Sequence, residues 1–223
     1  VLAKGMLGLQ RHLAGFTHVL ALKRFFHGRE NAVVTAMQIA DRLIALLQHF
    51  TTVADQSEIP ILIYNVTKFT HISVSVNLVA RLSQHPNIIG IKDSNGNVAS
   101  LGEMVSRAAE DFSVLVGTAG ALFGALTLGC VGGIVALANV APKACVRICN
   151  LLKKGEIEAA SKLQIKMLPV NTALTATYGV SGLKAALDML GYYGGAPRLP
   201  LLPASDREKT EIRDILKTAG LLA

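Results

Sequence analysis

The stretch N87-I-I-G-I-K-D-S-N-G-N97 decides how the rest of the chain reads. Ile88-Ile89-Gly90-Ile91 is short, apolar and rich in β-branched residues, and a polar glycine-bearing turn closes it, so it predicts a buried strand. The strand runs straight into Lys92 and Asp93. Lysine is rarely placed at the end of a buried strand unless something pairs with it or uses it. Lys92 therefore has either a partner, with Asp93 or solvent the plain choice, or a task.

The same pattern repeats on both sides. I59-P-I-L-I-Y-N-V66 predicts an earlier strand, and S73-V-S-V-N-L-V-A-R-L-S-Q-H-P86 is read as the helix between, stopped at Pro86. (Its apolar positions Val76, Val79, Ala80 and Leu82 are near helical spacing.) V98-A-S-L-G-E-M-V-S-R-A-A-E-D111 predicts a second helix, F112-S-V-L-V-G-T-A-G120 a third strand and A121-L-F-G-A-L-T-L-G129 a third helix. V131-G-G-I-V-A-L-A-N-V140 predicts a fourth strand, followed by a helix from Pro142, a favourable first-turn residue. Strands alternating with helices imply a parallel sheet, and continuous apolar strands imply one covered on both faces. A doubly wound sheet and a (β/α)₈ barrel both satisfy this pattern; no G-x-G-x-x-G follows a strand, which weakens the dinucleotide-binding choice. After Gly155 the pattern is helical, and Ser205 with Glu208 three residues later predicts a capping box at the last helix.

Composition bounds the function. The 223 residues are 51% hydrophobic and 17% charged, enough apolar material for a core. The uncharged stretch 114–141 is long enough to span a bilayer, but its glycines divide it into strand, turn and helix. The net charge of +7 is weighted toward the first fifty residues, with no basic stripe interleaved with aromatics, so neither a nucleic acid nor a membrane is expected as partner. Residues 1–29 carry Arg11, Lys23, Arg24 and Arg29 and no acid, as organelle-targeting segments do, though without their serines. Cys130, Cys145 and Cys149 are an odd set without C-x-x-C spacing; they predict buried small side chains, no metal site, and a reducing intracellular compartment, cytoplasm or mitochondrial matrix.

Tyr64 and Lys92 end consecutive strands. Neighbouring strands lie about 4.8 Å apart, and parallel α/β folds place their chemistry at the C-terminal rim. An amine can attack a ketone to give a Schiff base, and a phenol can carry the protons. Attack needs a neutral amine, which apolar surroundings favour; Ile89 and Ile91 are the apolar flanks expected to supply them.

Y64-N-V66, L82-S-Q-H-P-N-I-I-G-I-K-D-S-N-G-N97, G117-T-A-G120, G132-G-I-V-A-L-A-N-V140 and G191-Y-Y-G-G195, in that order, resemble the dihydrodipicolinate synthase / N-acetylneuraminate lyase family of Schiff-base aldolases. The wording of L-S-Q-H-P-N-I-I-G-I-K-D-S and A-L-A-N-V is similar to its 4-hydroxy-2-oxoglutarate aldolase branch. The resemblance implies the second half of a TIM (β/α)₈ barrel, four βα units, with a C-terminal helical bundle, usually in a homo-oligomer. It divides the chain into a leader, 1–45, helix-prone or irregular; a partial barrel, 46–154; and a helical region, 155–223. It implies that Lys92 forms the Schiff base with a pyruvate-type 2-oxo acid, that Tyr64 relays protons, that Gly117, Thr118 and Ile134 line the pocket, and that no metal or organic cofactor is needed. Cleavage of 4-hydroxy-2-oxoglutarate to pyruvate and glyoxylate is the reaction this wording favours; 4-hydroxy-tetrahydrodipicolinate synthesis, or a truncated relative without turnover, are the alternatives.

Two departures accompany the resemblance. The family's early G-T-T-G-E-like loop has no counterpart, so the first four units are expected to be missing from this sequence. After Tyr64 the family's proline, Arg/Asn and glycine positions hold Thr67, Phe69 and His71, of which His71 is expected to be a surface turn residue.

Overall fold

The computed structural model describes residues 30–223, with side chains from residue 42. Contacts divide the chain into two units, residues 1–49 and 50–223. The targeting-like reading of residues 1–29 lies outside the described residues. From Glu30 the expected leader is helical, as part of α1 (Glu30–Gln56).

Within the second unit the quoted stretch starts with an anchor. Asn87 Nδ2 donates to the carbonyls of Ala54 at 2.8 Å and Ser57 at 2.9 Å. Its own carbonyl accepts from Ile61 N at 2.8 Å. One asparagine thus fastens the end of α1 to the starts of two strands.

Those strands, β1 (Ile61–Asn65) and β2 (Ile88–Asp93), continue into β3 (Ser113–Val116) and β4 (Gly132–Gly133). All neighbouring pairs are parallel, in the order β1-β2-β3-β4. This is an α/β fold built on a parallel sheet, as the strand–helix alternation implies. A one-turn helix α2 (Thr67–Thr70) and α3 (Val76–Leu82) link β1 to β2; α4 (Val98–Arg107) links β2 to β3; α5 (Leu122–Thr127) links β3 to β4. Ser75 and Asn97 cap α3 and α4 by accepting from Leu78 N and Ser100 N.

The side chains alternate between two unlike faces. Ile63, Ile91, Val114 and Val116 are buried with the helical residues Leu78, Val79, Leu82, Leu101 and Leu122. Leu62, Tyr64, Lys92, Leu115 and Ile134 fall on the other side, where Tyr64 is 51% and Ile134 50% exposed. The expectation of a sheet covered on both faces is therefore corrected for the described residues. Apolar runs looked continuous because the second face also carries Leu62, Leu115 and Ile134.

The fourth strand is also shorter than expected. Only Gly132–Gly133 pair with β3, and Ala136–Asn139 close into a 3₁₀ turn. Strand β3 covers only Ser113–Val116 of the stretch 112–120 read as the third strand. Gly133 is packed so closely that an added Cβ would lie 3.0 Å from Val116 O, and small residues here favour proximity over a long ladder.

The C-terminal part is helical: α6 (Pro142–Lys153), α7 (Ile157–Thr172), α8 (Gly179–Met189) and α9 (Asp206–Thr218). Pro142 opens α6 and the Ser205–Glu208 capping box opens α9, both as the sequence predicts. Pro169 sits inside α7, which leads into one wide turn, Ala173–Thr177, where Tyr178 N donates to Ala173 O at 2.8 Å. A proline that cannot donate and a widened turn are recognised causes of a change in helix register. Gly220, at φ 68°, ends α9 in the left-handed region that glycine adopts without strain.

All three cysteines are free thiols, and no metal-binding group of His, Cys, Asp or Glu occurs among the described residues. Nor is any described helix long and apolar enough to cross a membrane. Burial pushes the Cys130 and Cys145 thiols up to about 11. At pH 8 that leaves roughly one thiolate in a thousand, against about one in four for an ordinary thiol near pKa 8.5. Iodoacetamide at pH 8 is expected to alkylate Cys130 and Cys145 at least about a hundredfold more slowly in the native protein than in urea, read by peptide mass. Rapid native labelling of either would contradict this burial.

Candidate active site

Parallel pairing sets Tyr64 opposite Lys92 and Lys92 opposite Leu115. Tyr64 and Lys92 thus stand on the same face of adjacent strands, each one residue before its strand's end, close to where the sequence predicts. Lys92 Nζ lies 4.1 Å from the centroid of the Tyr64 ring. Among the described residues it has no ion pair or hydrogen bond. Asp93, the plain choice of partner, is not the one it has.

The reason is the two-residue period of a strand. Lys92 projects from one face, while Asp93 and Ile91 project from the other. The apolar flanks expected around the amine are corrected on the same ground. Ile91 is 0% exposed, but it is buried on the far side of the sheet. Ile89 sits where the β1–β2 register slips, between the pairs Ile61↔Ile88 and Leu62↔Gly90, and it is exposed. Nζ stands over the Tyr64 ring, and Leu115 is the register partner of Lys92 on β3.

On the covered face Asn65 and Asp93 are register partners, each 1% exposed. Asn65 Nδ2 donates to Asp93 Oδ2 at 2.5 Å. Asn65 Oδ1 accepts from Val74 N at 3.2 Å, which fixes the amide orientation because a backbone N–H can only donate. The Asp93 carboxylate also accepts from Asn95 N at 3.0 Å and Asn95 Nδ2 at 3.1 Å. Neither Asn65 nor Asp93 stood out as a site residue in the sequence. The available signal was position: each directly follows one of the two side chains, Tyr64 and Lys92, that the sequence singles out.

Gly117 and Thr118 follow β3. Gly117 N donates to Asp93 O at 2.6 Å, bringing this turn to the end of β2. The approach demands glycine, since a Cβ on Gly117 would lie 1.9 Å from Ser94 Oγ and 2.8 Å from Ser94 Cα. Thr118 begins the 3₁₀ turn Ala119–Ala121, whose first carbonyl accepts from Gln164 Nε2 of α7 at 2.9 Å. Ile134 N donates to Val116 O at 3.0 Å. The amides of Gly117 and Ile134 are thus already committed within the fold, so these residues line the rim by position.

Of the departures after Tyr64, Phe69 and His71 are exposed, and His71 adopts φ 56° at the end of α2, the surface turn residue the sequence predicts. The hydroxyl of Thr67 is buried without a protein partner among the described residues.

Residues 42–219 match the model of the dihydrodipicolinate synthetase family. The chain is 34% identical over 177 residues to a 4-hydroxy-tetrahydrodipicolinate synthase of Thermodesulfovibrio yellowstonii, covering 79% of this chain and 61% of that protein. It is 37% identical over 172 residues to the enzyme of the same name from Methanothrix thermoacetophila, covering 77% and 58%. Among solved structures it superimposes on the chloride-inhibited dihydrodipicolinate synthase of Acinetobacter baumannii in complex with pyruvate, with TM-score 0.76 and 29% identity, covering 81% of this chain and 62% of that one. The chain spans about three-fifths of the length of the curated relatives it matches.

Replacing Gly117 by alanine is expected to cost about 2 kcal/mol, because backbone as well as the Ser94 side chain must move. Gly132→Ala, whose Cβ would meet Leu115 Cδ2 at an ordinary 3.5 Å, is expected to cost less than about 1 kcal/mol. Equilibrium urea unfolding followed by circular dichroism measures both; equal costs would contradict the packing of Gly117 on Ser94.

Proposed function

The chain belongs to the dihydrodipicolinate synthetase family, and from that premise we propose that it carries the Schiff-base machinery of an enzyme acting on pyruvate-type 2-oxo acids. The observation that carries the reading is the in-register pair, with Lys92 Nζ over the Tyr64 ring at 4.1 Å. The four βα units are read as the second half of a (β/α)₈ barrel, with residues 155–223 as its helical appendage; the expected leader, 1–45, overlaps the family match, which begins at residue 42. The pyruvate complex of the structural relative supports the choice of keto acid. The names of the curated relatives favour 4-hydroxy-tetrahydrodipicolinate synthesis over cleavage of 4-hydroxy-2-oxoglutarate.

In this reading the neutral Lys92 amine adds to C2 of the keto acid. The carbonyl oxygen takes one proton from the adding amine and a second relayed by Tyr64 and leaves as water, and a protonated imine remains. The imine draws electron density from C3, so a proton lost there leaves an enamine. The enamine carbon attacks an aldehyde carbonyl and forms the new carbon–carbon bond; the reverse sequence breaks one. Hydrolysis returns the amine. Tyr64 delivers and removes protons at the carbinolamine and imine stages. Thr118, next to the committed Gly117 amide, has a hydroxyl and a main-chain N–H without protein partners among the described residues, and it is assigned to the substrate carboxylate. Ile134 supplies an apolar wall.

Incubation with pyruvate followed by borohydride reduction tests the assignment. Peptide mass mapping is expected to place the adduct on Lys92, to lose it in Lys92→Ala, and to find it formed about tenfold more slowly in Tyr64→Phe. Equal labelling of Lys68, Lys143 and Lys184 would mean ordinary surface chemistry and would remove the basis of the reading.

The family's usual oligomerisation is carried into the same proposal, supported by exposed Leu62, Phe69 and Ile134. Light scattering is expected to show a homo-oligomer, and a monodisperse monomer would contradict it.

A further inference from the structure

We propose that Asn65 and Asp93 are positioning residues, whose hydrogen-bonded side chains on the covered face hold Tyr64 and Lys92 in register on the other. The inference rests on the Schiff-base reading of Lys92. Its basis is the coincidence of three arrangements. Asn65 and Asp93 are Cα partners in the β1–β2 ladder, one residue after the partners Tyr64 and Lys92. Both are 1% exposed, and their side chains bond directly to each other. Each is also tied to a separate loop: Asn65 to Val74 at the entry to α3, and Asp93 to Asn95 in the turn after β2.

A strand end without such a tie frays, because its last backbone groups have no further ladder. Here the ladder is carried past the chemical pair. Ser94 N donates to Asn65 O at 2.9 Å, and Gly117 N donates to Asp93 O at 2.6 Å. The carboxylate sits at the junction of β1, β2 and the Gly117–Thr118 turn. No Lys or Arg forms an ion pair with it among the described residues. Its side-chain donors are one backbone N–H and two amide groups, which fix direction as well as charge. A slip of one residue between β1 and β2 would carry Tyr64 or Lys92 to the covered face, since successive side chains alternate. Asn65 and Asp93 bond only in the register that places the other two together.

The complementarity of an amide and a carboxylate makes the test reciprocal. In Asp93→Asn, Asn65 Nδ2 loses its charged acceptor. In Asn65→Asp, two carboxylates face each other in a buried position. The exchange Asn65→Asp with Asp93→Asn restores one donor opposite one acceptor, and the new carboxylate still accepts from Val74 N. The readout is the rate of borohydride-trapped pyruvate adduct on Lys92 in the full chain, per folded protein as judged by circular dichroism. Each single variant is expected to trap about tenfold more slowly than the natural chain, and the exchange variant to return to within about threefold of it. A merely structural pair would change thermal stability and leave the trapping rate of folded protein unmoved. A folded Asp93→Asn that traps at the natural rate, or an exchange variant as slow as the singles, overturns the inference. Should the Asp93 variants fail to fold, Asn95→Ala removes one exposed donor only; trapping about threefold slower is expected, and an unchanged rate overturns the inference. If the natural chain gives no Lys92 adduct, the Schiff-base reading itself falls. If it labels Lys92 and Asp93→Asn labels it equally fast, only the positioning role falls.

Discussion

The pairing of β1 with β2 is the constraint on which the rest of the site depends. It is a parallel ladder, so it needs an intervening helix and cannot be fixed by a short turn. Its register is held at the start by Asn87, which gathers carbonyls from the end of α1 and from the α1–β1 connector. It is held at the end by the buried Asn65–Asp93 bond. Hydrogen bonds to a charged group are each worth about 1.5–3 kcal/mol, and the larger quantity is what a buried carboxylate loses when its donors are removed. An arrangement with so much to lose is sharply defined in geometry, and the register is what it defines.

From that ladder the molecule acquires two faces with separate duties. Ile63, Ile91, Val114 and Val116 pack beneath the helices and supply cohesion. Tyr64 and Lys92 stand on the other side, where Tyr64 is half exposed among the described residues. Glycine serves both faces at the points of closest approach. Gly90 brings β2 against β3, where a Cβ would lie 2.4 Å from Ser113 O, and Gly117 brings the next turn against Ser94. The helical part reaches the rim as well. Gln164 of α7 donates to Ala119 O and accepts from Phe123 N, so the turn carrying Thr118 is braced from below by the C-terminal helices.

Much of this was legible in the sequence, for identifiable reasons. The strand–helix alternation from Ile59 onward gave the parallel order, because apolar runs of strand length separated by amphipathic segments have few other foldings. Tyr64 and Lys92 could be placed together because equal positions at the ends of consecutive strands meet in a parallel sheet. The capping box at Ser205 and the stop at Gly220 were readable because both are local. The fourth strand was overestimated: V-G-G-I-V-A-L-A-N-V has strand composition throughout, but whether it pairs beyond Gly133 depends on how far β3 extends beside it.

The sequence by itself determined the identities and the order: which residues could attack, relay and cap, and which segments could be strand or helix. These are properties of single residues and of short-range periodicity. Only the tertiary structure decided which face each side chain meets. Ile89 and Ile91 flank Lys92 in the chain yet do not surround its amine, because strand geometry turns them away and a register slip displaces Ile89. Asp93 is adjacent to Lys92 yet bonds Asn65, 28 positions away in sequence. A partner at that distance is chosen by the pairing of two strands and the burial of one face, and neither is a property of the residues taken in order.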